Sequence, residues 1–244
     1  MKVLAINGSP RMGTSNTSLI LTPFLEGMSE CGAEVELFYT GKLGIGPCRE
    51  CFHCWFTTPG RCVQKDDMQM LLPRLLAADV WVLATPVFVD GMTGPMKNIL
   101  DRLVPSSEPV FELRDGHCRH GLRPGRNERG KVVLVSNCGF WEKGNFDPLL
   151  AHVRAACDNF GREFAGAVLR PHGGALRPMM EAGAPVDDVI EAAREAGRQL
   201  VRDGAMSPHT LSTVSRELLP LEKYVKGSNK ALRRSEQRPG DEAH

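Results

Sequence analysis

Five short runs of apolar and β-branched residues punctuate the chain: Val3 to Ile6, Val35 to Tyr39, Val80 to Ala84, Val132 to Ser136 and Phe164 to Leu169. Their near-continuous apolar character is that of parallel strands covered on both faces rather than of strands with one wet face. Between them, apolar positions recur at helical spacing over Ser18 to Cys31, Asp67 to Ala77, Thr93 to Leu103 and Pro148 to Phe160, and again over Asp187 to Val201 after the last strand. Strands and helices that alternate in this way predict an α/β fold built on a doubly wound, five-stranded parallel sheet. Right-handed crossovers favour the order 2-1-3-4-5, with ligands bound beyond the carboxyl ends of the strands. Two features interrupt the pattern. Pro23 lies inside the first helical stretch, where it predicts a kink or a late start, and the connection from Val104 to Gly130 is too long for an ordinary loop, which points to a lid or a subunit contact. Past Ser207 the periodicity fades, and Ser228 to His244 is charged without an apolar face. The chain therefore divides into a domain over 1–206 and an arm over 207–244 that ends in a disordered tail.

Of the 244 residues, 30 are Lys or Arg and 29 are Asp or Glu, a net charge of +1. That balance gives no global field to draw the protein onto nucleic acid or an anionic membrane, so partners must be recognised locally. The opening apolar run breaks at Asn7-Gly8-Ser9-Pro10, too early for a secretion signal, and no stretch approaches the ~18 apolar residues of a membrane span. A cytoplasmic protein is expected. In that reducing setting eight cysteines are not read as disulfides, which turns attention to metal, cluster or redox chemistry.

Three loops leave the predicted carboxyl edge. After the first strand, Gly8 to Thr17 supplies four hydroxyls and the Arg11 guanidinium at a helix N-terminus, where N–H groups and the helix dipole favour an anion. Gly8 and Gly13 have the spacing of a nucleoside-triphosphate loop, but Thr14-Ser15 stand where Lys-Ser is required, and no Gly-x-Gly-x-x-Gly is present. A single phosphate is the anion that suits this loop, with Ser9, Arg11, Ser15, Asn16 and Thr17 as candidates to bind it. After the third strand, Pro86, Val87, Phe88 and Val89 form an apolar wall between Thr85 and the flexible Gly91 and Gly94. After the fourth come Asn137, Cys138, Gly139, Phe140 and Trp141. A phosphate at one end and a flat ring at the other describe flavin mononucleotide, FMN.

The connection after the second strand carries Cys48-x2-Cys51-x2-Cys54-x7-Cys62 within a loop over 46–66. Three thiolates at this spacing can wrap a compact iron–sulfur cube, with Cys62 as the fourth ligand. Four thiolates also satisfy one tetrahedral zinc ion, and free redox-active thiols are a third reading. Asp66 and Asp67 are placed to cap the following helix. Cys31 and Cys157 read as small buried residues in helices, and the histidines show no metal spacing.

Gly8, Ser9, Arg11, Ser15 and Asn16, in altered spacing, together with Pro86, Phe88, Gly94, Lys97, Asn98, Asp101 and Arg102, resemble the two signature segments of the flavodoxin-like NAD(P)H-dependent FMN reductases. The likeness spans Met1 to Leu200, and the cysteine loop resembles that of the iron-sulfur flavoproteins within the same family. The resemblance implies a flavodoxin-like fold, FMN bound by Ser9 to Thr17, by Pro86 to Val89 and by Asn137 and Gly139, and hydride delivery from NAD(P)H. It further implies a 4Fe–4S cluster on Cys48, Cys51, Cys54 and Cys62 that exchanges electrons with FMN, and a homodimer or homotetramer. The expected activity is an NAD(P)H-dependent flavin oxidoreductase serving a small molecule or a ferredoxin-like protein. Lys97, Asp101 and Arg102 read as solvated helix residues or a dimer face. The alternatives are a non-enzymatic flavin/iron–sulfur electron carrier and a zinc-binding thiol redox sensor.

Overall fold

The computed structural model of the protein describes residues 1–125 and 130–236. Five parallel strands form the central sheet: β1 (Lys2–Asn7), β2 (Glu34–Tyr39), β3 (Val80–Pro86), β6 (Lys131–Asn137) and β7 (Glu163–Arg170), in the order β2-β1-β3-β6-β7. This is the predicted flavodoxin-like order; the two intervening strand numbers belong to a separate hairpin. Successive side chains of each strand enter opposite cores. Val3 and Ala5 of β1, Val80 and Val82 of β3, and Val133 and Val135 of β6 pack under α1 (Asn16–Glu30) and α7 (Asp187–Arg202). Leu4, Ile6, Trp81, Leu83, Val132 and Leu134 face α3 (Met68–Ala77), α4 (Gly94–Asp101) and α5 (Asp147–Phe160). Apolar demand on both faces is what erased the alternation from the sequence.

α1 starts at Asn16 because Ser15 caps it, its hydroxyl accepting the Ser18 N–H at 3.1 Å. The late start expected from Pro23 is thus corrected. Pro23 sits buried within the helix, where it gives up one backbone donor. The same helix crosses α7 at nearly backbone contact: a Cβ on Gly27 would lie 1.9 Å from the Arg194 carbonyl, and one on Gly197 would lie 2.0 Å from the Phe24 carbonyl.

The connection from Val104 to Gly130 holds a two-stranded antiparallel hairpin, β4 (Ser107–Arg114) and β5 (His117–Leu122). Asp115 and Gly116, both at positive φ, turn it, and Val110, Phe111 and Leu113 face outward. Residues 126–129 of this connection lie outside the described residues. One turn of helix, α2 (His53–Phe56), sits within the cysteine loop, and α6 (Leu176–Glu181) follows β7. In the C-terminal arm, α8 (Pro208–Ser215) buries Thr210 and Val214 against the domain. α9 (Leu221–Glu236) is helical even though its apolar Leu221, Val225 and Leu232 are exposed. The end of the predicted tail, 237–244, lies outside the described residues.

The close crossing of α1 and α7 leaves no room for a methyl group, and the obstructing atoms are backbone. Gly197→Ala is expected to destabilise the fold by about 3 kcal/mol or more, at the upper end of overpacking costs. Urea unfolding measures it, and a loss below about 1 kcal/mol would contradict the crossing described.

Candidate functional site

The strand order reverses at β1, so the loops after β1 and β3 diverge around a crevice at the carboxyl edge of the sheet. Asn7, the last residue of β1, is fully buried and organises the first loop. Its Oδ1 accepts the Ser9 N–H at 2.9 Å, and its Nδ2 donates to the Ser18 hydroxyl at 2.9 Å. Three of the four loop hydroxyls are spent internally: Thr14 on the Arg11 carbonyl (2.8 Å), Ser15 on the Met12 carbonyl (2.7 Å) and Thr17 on Asn137 Oδ1 (2.6 Å). The Ser9 hydroxyl and the exposed Arg11 side chain have no hydrogen-bond partner among the described residues. The groups left for an anion are therefore the Ser9 hydroxyl, Arg11, the Asn16 side chain and the Asn16 and Thr17 N–H groups that open α1, since Ser15 takes up the Ser18 N–H.

The second loop is tied to the first and the third. Thr93 donates to the Gly8 carbonyl at 2.8 Å, and the Val87 N–H donates to the Asn137 carbonyl at 2.9 Å. Between these ties, Phe88 and Gly91 exchange backbone hydrogen bonds across a tight turn whose central residues, Val89 and Asp90, have φ of 45° and 61°. Two positive φ values mark a type I′ turn, and a β-branched valine is poorly suited to it. The three loops enclose a 220 Å³ cavity that brings together Ser9, Arg11, Ser15, Asn16, Thr17, Pro86, Val87, Phe88, Asn137 and Gly139. Val89 stands outside it, fully exposed at the tip of the turn. Phe140 is 68% exposed and does not line the cavity, and Trp141 turns instead to the C-terminal arm, donating from Nε1 to the Leu219 carbonyl at 3.0 Å.

The arm's attachment involves residues that sequence reasoning passed over. Tyr224 of α9 donates its hydroxyl hydrogen to the Gly139 carbonyl. Buried His172 accepts at Nε2 from the Leu218 N–H (3.0 Å), with Arg170 Nη2 also 3.0 Å away; Nδ1 lies 3.4 Å from the Trp141 carbonyl. Two donors at Nε2 require the neutral tautomer with its proton on Nδ1. Burial, reinforced by the Arg170 charge, lowers the His172 pKa to about 4. Arg170 is itself fully buried and donates only to carbonyls, of Pro171, Val214 and Arg216, and to His172. Burial and the neighbouring Arg216 bring its pKa to about 10, so it stays charged at neutral pH. The signal that could have found His172 is its position just past a strand end, in a loop at the carboxyl edge.

The cysteine loop meets the end of α4. Cys48, Cys51, Cys54 and Cys62 all line one 150 Å³ cavity, together with Arg102 at its wall. Cys48 and Cys51 are exposed, Cys62 is half-buried and Cys54 is buried. Burial, together with the nearby Cys62, Cys48 and Cys51 sulfurs, pushes the Cys54 thiol above the usual range. Among the described residues no three His, Cys, Asp or Glu side chains converge tightly enough to hold one metal ion. Glu50 and Phe52 adopt positive φ in this loop, and such strain is held where the surroundings over-determine the backbone. The aromatic stack Phe52–Trp55 (4.9 Å) and the Trp55–His120 contact (4.7 Å) lean the loop on the hairpin.

Arg102 is the principal correction to the sequence reading. Lys97 and Asp101 do form a half-exposed pair at 2.5 Å, as solvated helix residues would. Arg102, however, is buried to 1% exposure and pairs with Asp66 through two hydrogen bonds of 2.6 and 2.9 Å. Burial works against both charges, but their pairing outweighs it, holding the Asp66 carboxyl below and the guanidinium above their ordinary values. Asp66 also accepts the Met68 N–H at 3.1 Å at the start of α3, as expected, whereas Asp67 accepts from the Gly44 N–H at 2.7 Å instead of capping.

Comparison with known proteins places this geometry. The family described as NADPH-dependent FMN reductase matches residues 1–161. An iron-sulfur flavoprotein of Archaeoglobus fulgidus is 37% identical over 139 residues, covering 55% of this chain and 67% of that protein. Another, from Methanocaldococcus jannaschii, is 36% identical over 102 residues, covering 42% and 50%. The chain thus spans between half and two thirds of the length of these relatives. An FMN-dependent NADH-azoreductase from Bacillus anthracis, solved in complex with FMN, superposes with a TM-score of 0.58 at 16% identity, covering 82% of this chain and 99% of that one, and so shares the fold.

Two outcomes follow from the loop geometry. His172 is neutral when folded and titrates near 6.5 when unfolded, so the unfolded chain takes up the proton first. Stability from this site is complete well above pH 6.5 and falls as the pH drops from 6.5 to 4, by roughly 3 kcal/mol. Urea midpoints across that range should fall less steeply for His172→Gln, and parallel curves would contradict the assignment. Val89→Asn relieves a β-branched residue from a left-handed turn and is expected to stabilise by about 1 kcal/mol. A lower midpoint than wild type would show that Val89 contributes contacts the turn geometry does not reveal.

Proposed function

The chain belongs to the NADPH-dependent FMN reductase family, and from that premise we propose that it is an FMN-dependent oxidoreductase that draws electrons from NAD(P)H and passes them to a small-molecule or protein acceptor by way of a 4Fe–4S cluster. The observation that carries this reading is the pairing of two cavities: one between three loops at the carboxyl edge, the other lined by four cysteines together with Asp101 and Arg102 at the end of α4.

The residues of the first cavity fit FMN. The unpartnered Ser9 and Arg11 side chains and the first turn of α1 form a cationic, donor-rich end for a phosphate. Pro86, Val87, Phe88 and Gly139 supply apolar surface and backbone for a flat ring. When bound, a flavin would accept one hydride and release its two electrons singly or together, chemistry that no side chain here can supply. The protein's part is to fix that ring. Asn137 joins the Thr17 hydroxyl to the Val87 N–H, so one side chain and its backbone hold phosphate loop and ring loop in register.

The second cavity fits a cluster by its donor set: four sulfurs around one space and a buried arginine at its wall. One zinc ion with Zn–S bonds of about 2.3 Å would need its sulfurs drawn to a common point. Four sulfurs that line one cavity suit a cube that binds one thiolate at each iron. A purely structural or sensing role leaves the unpartnered donors of the first cavity unexplained.

Protein purified under anaerobic conditions is expected to show flavin absorption over a broad iron–sulfur shoulder, with about four irons and four sulfides per chain. Stoichiometric zinc with no flavin uptake on incubation with FMN would overturn the proposal. Arg11→Gln should weaken FMN binding about tenfold while leaving riboflavin binding unchanged, since only the former carries the phosphate. Equal weakening of both, read by flavin fluorescence quenching, would place Arg11 away from the phosphate.

A further inference from the structure

Arg102 closes the neck of the cysteine loop. Its Nη1 donates to the Gly46 carbonyl, at the start of the loop, at 2.9 Å and to Asp66 Oδ2, at its end, at 2.6 Å. Its Nη2 donates to Asp66 Oδ1 at 2.9 Å and to the Cys62 sulfur at 3.4 Å. Gln64 adds a second tie across the neck, donating to the Pro47 carbonyl at 3.2 Å. Four of the five guanidinium hydrogens are thereby used. The fifth, on Nε, is buried and has no acceptor among the described residues. An unsatisfied buried donor is costly in a protein interior, and here it belongs to a residue that lines the four-cysteine cavity.

We propose that Arg102 is the positioning residue of the cysteine site. It fixes the Cys62 sulfur, which the seven-residue gap otherwise leaves at the end of a long tether, and it provides a charged Nε–H donor for a sulfide of the group that fills the cavity. The inference rests on the iron–sulfur reading of that cavity. Each added electron makes a cluster more negative, so a buried guanidinium and N–H···S bonds favour its reduced form. Asp66 neutralises part of the guanidinium's charge and restrains that effect. Arg102 thus sets how readily the site accepts an electron, and Asp66 sets how much of that charge is felt.

The test is a dithionite redox titration of the anaerobically purified holoprotein, followed by the EPR signal of the reduced cluster, with iron assayed on each sample and the FMN midpoint as an internal control. Arg102→Met is expected to lower the reduced-to-oxidised cluster ratio at a fixed poise at least tenfold, equivalent to 59 mV for one electron. Asp66→Asn should raise that ratio several-fold, and the FMN midpoint should stay put in both. Arg102→Lys, which keeps the charge and gives up the planar fork, should fall between wild type and Arg102→Met. Loss of iron from Arg102→Met with an unchanged circular dichroism spectrum would support the positioning of Cys62, and Arg102→Lys would then carry the redox reading. Wild-type ratios in Arg102→Met or Arg102→Lys at full iron content, or a shift of the same sign in Asp66→Asn, would overturn the inference alone. A wild-type protein without iron would instead overturn the cluster reading beneath it.

Discussion

All five strands of the sheet run parallel, and that single constraint delivers every chemically active segment to one edge. A parallel strand cannot turn back directly into its neighbour, so each carboxyl end must release a loop before the crossover helix begins. Because the order reverses at β1, the loops after β1 and β3 part around a crevice, and the loop after β6 closes it. The cysteine loop leaves the same edge after β2. Packing alone therefore gathers a donor-rich loop, an apolar wall and four sulfurs without any of these contributing much to the core.

Helix α4 then determines how the two cavities relate. It begins at Gly94, directly after the ring loop, whose end is held by Thr93 on the Gly8 carbonyl. It ends at Asp101, just before the arginine that ties the cysteine loop. Eight residues of helix, a rise of about 12 Å, separate those two ends. The buried Arg102–Asp66 pair is a poor way to gain stability, because desolvating both charges cancels most of their attraction, although removing one partner alone is expensive. Its value is geometric: a planar fork makes four directed bonds where a lysine would offer a point charge.

The core and the loops that line the three-loop cavity were legible because their signals are local. Apolar runs located every strand of the sheet to within two residues at each end, and the Ser-rich loop after β1 could be read from its neighbours in sequence. What escaped depends on partners far along the chain. Arg102 falls three residues after buried Ile99 and six after buried Met96, at the edge of the apolar stripe of α4, and only Asp66, 36 positions earlier, makes burial tolerable there. His172 gains its role from Leu218, 46 positions later. The hairpin was readable in principle, since Asp115-Gly116 is a strong two-residue turn signal. Its strands are exposed or half-buried apart from Gly121, however, so burial gave no periodicity to set against the length of the connection. Among the loop hydroxyls, sequence could count donors but could not tell that Thr14, Ser15 and Thr17 spend theirs within the fold.

The central claim is that the three-loop cavity presents a flavin to NAD(P)H and that the four-cysteine cavity receives the electrons. Anaerobic stopped-flow mixing of the FMN-loaded, iron-replete protein with NADPH, followed at flavin and iron–sulfur wavelengths together, tests it directly. The account predicts bleaching of the flavin first and of the cluster afterwards, within the same turnover. A protein whose flavin and cluster are both reduced by dithionite but remain oxidised in excess NADPH and NADH would contradict it.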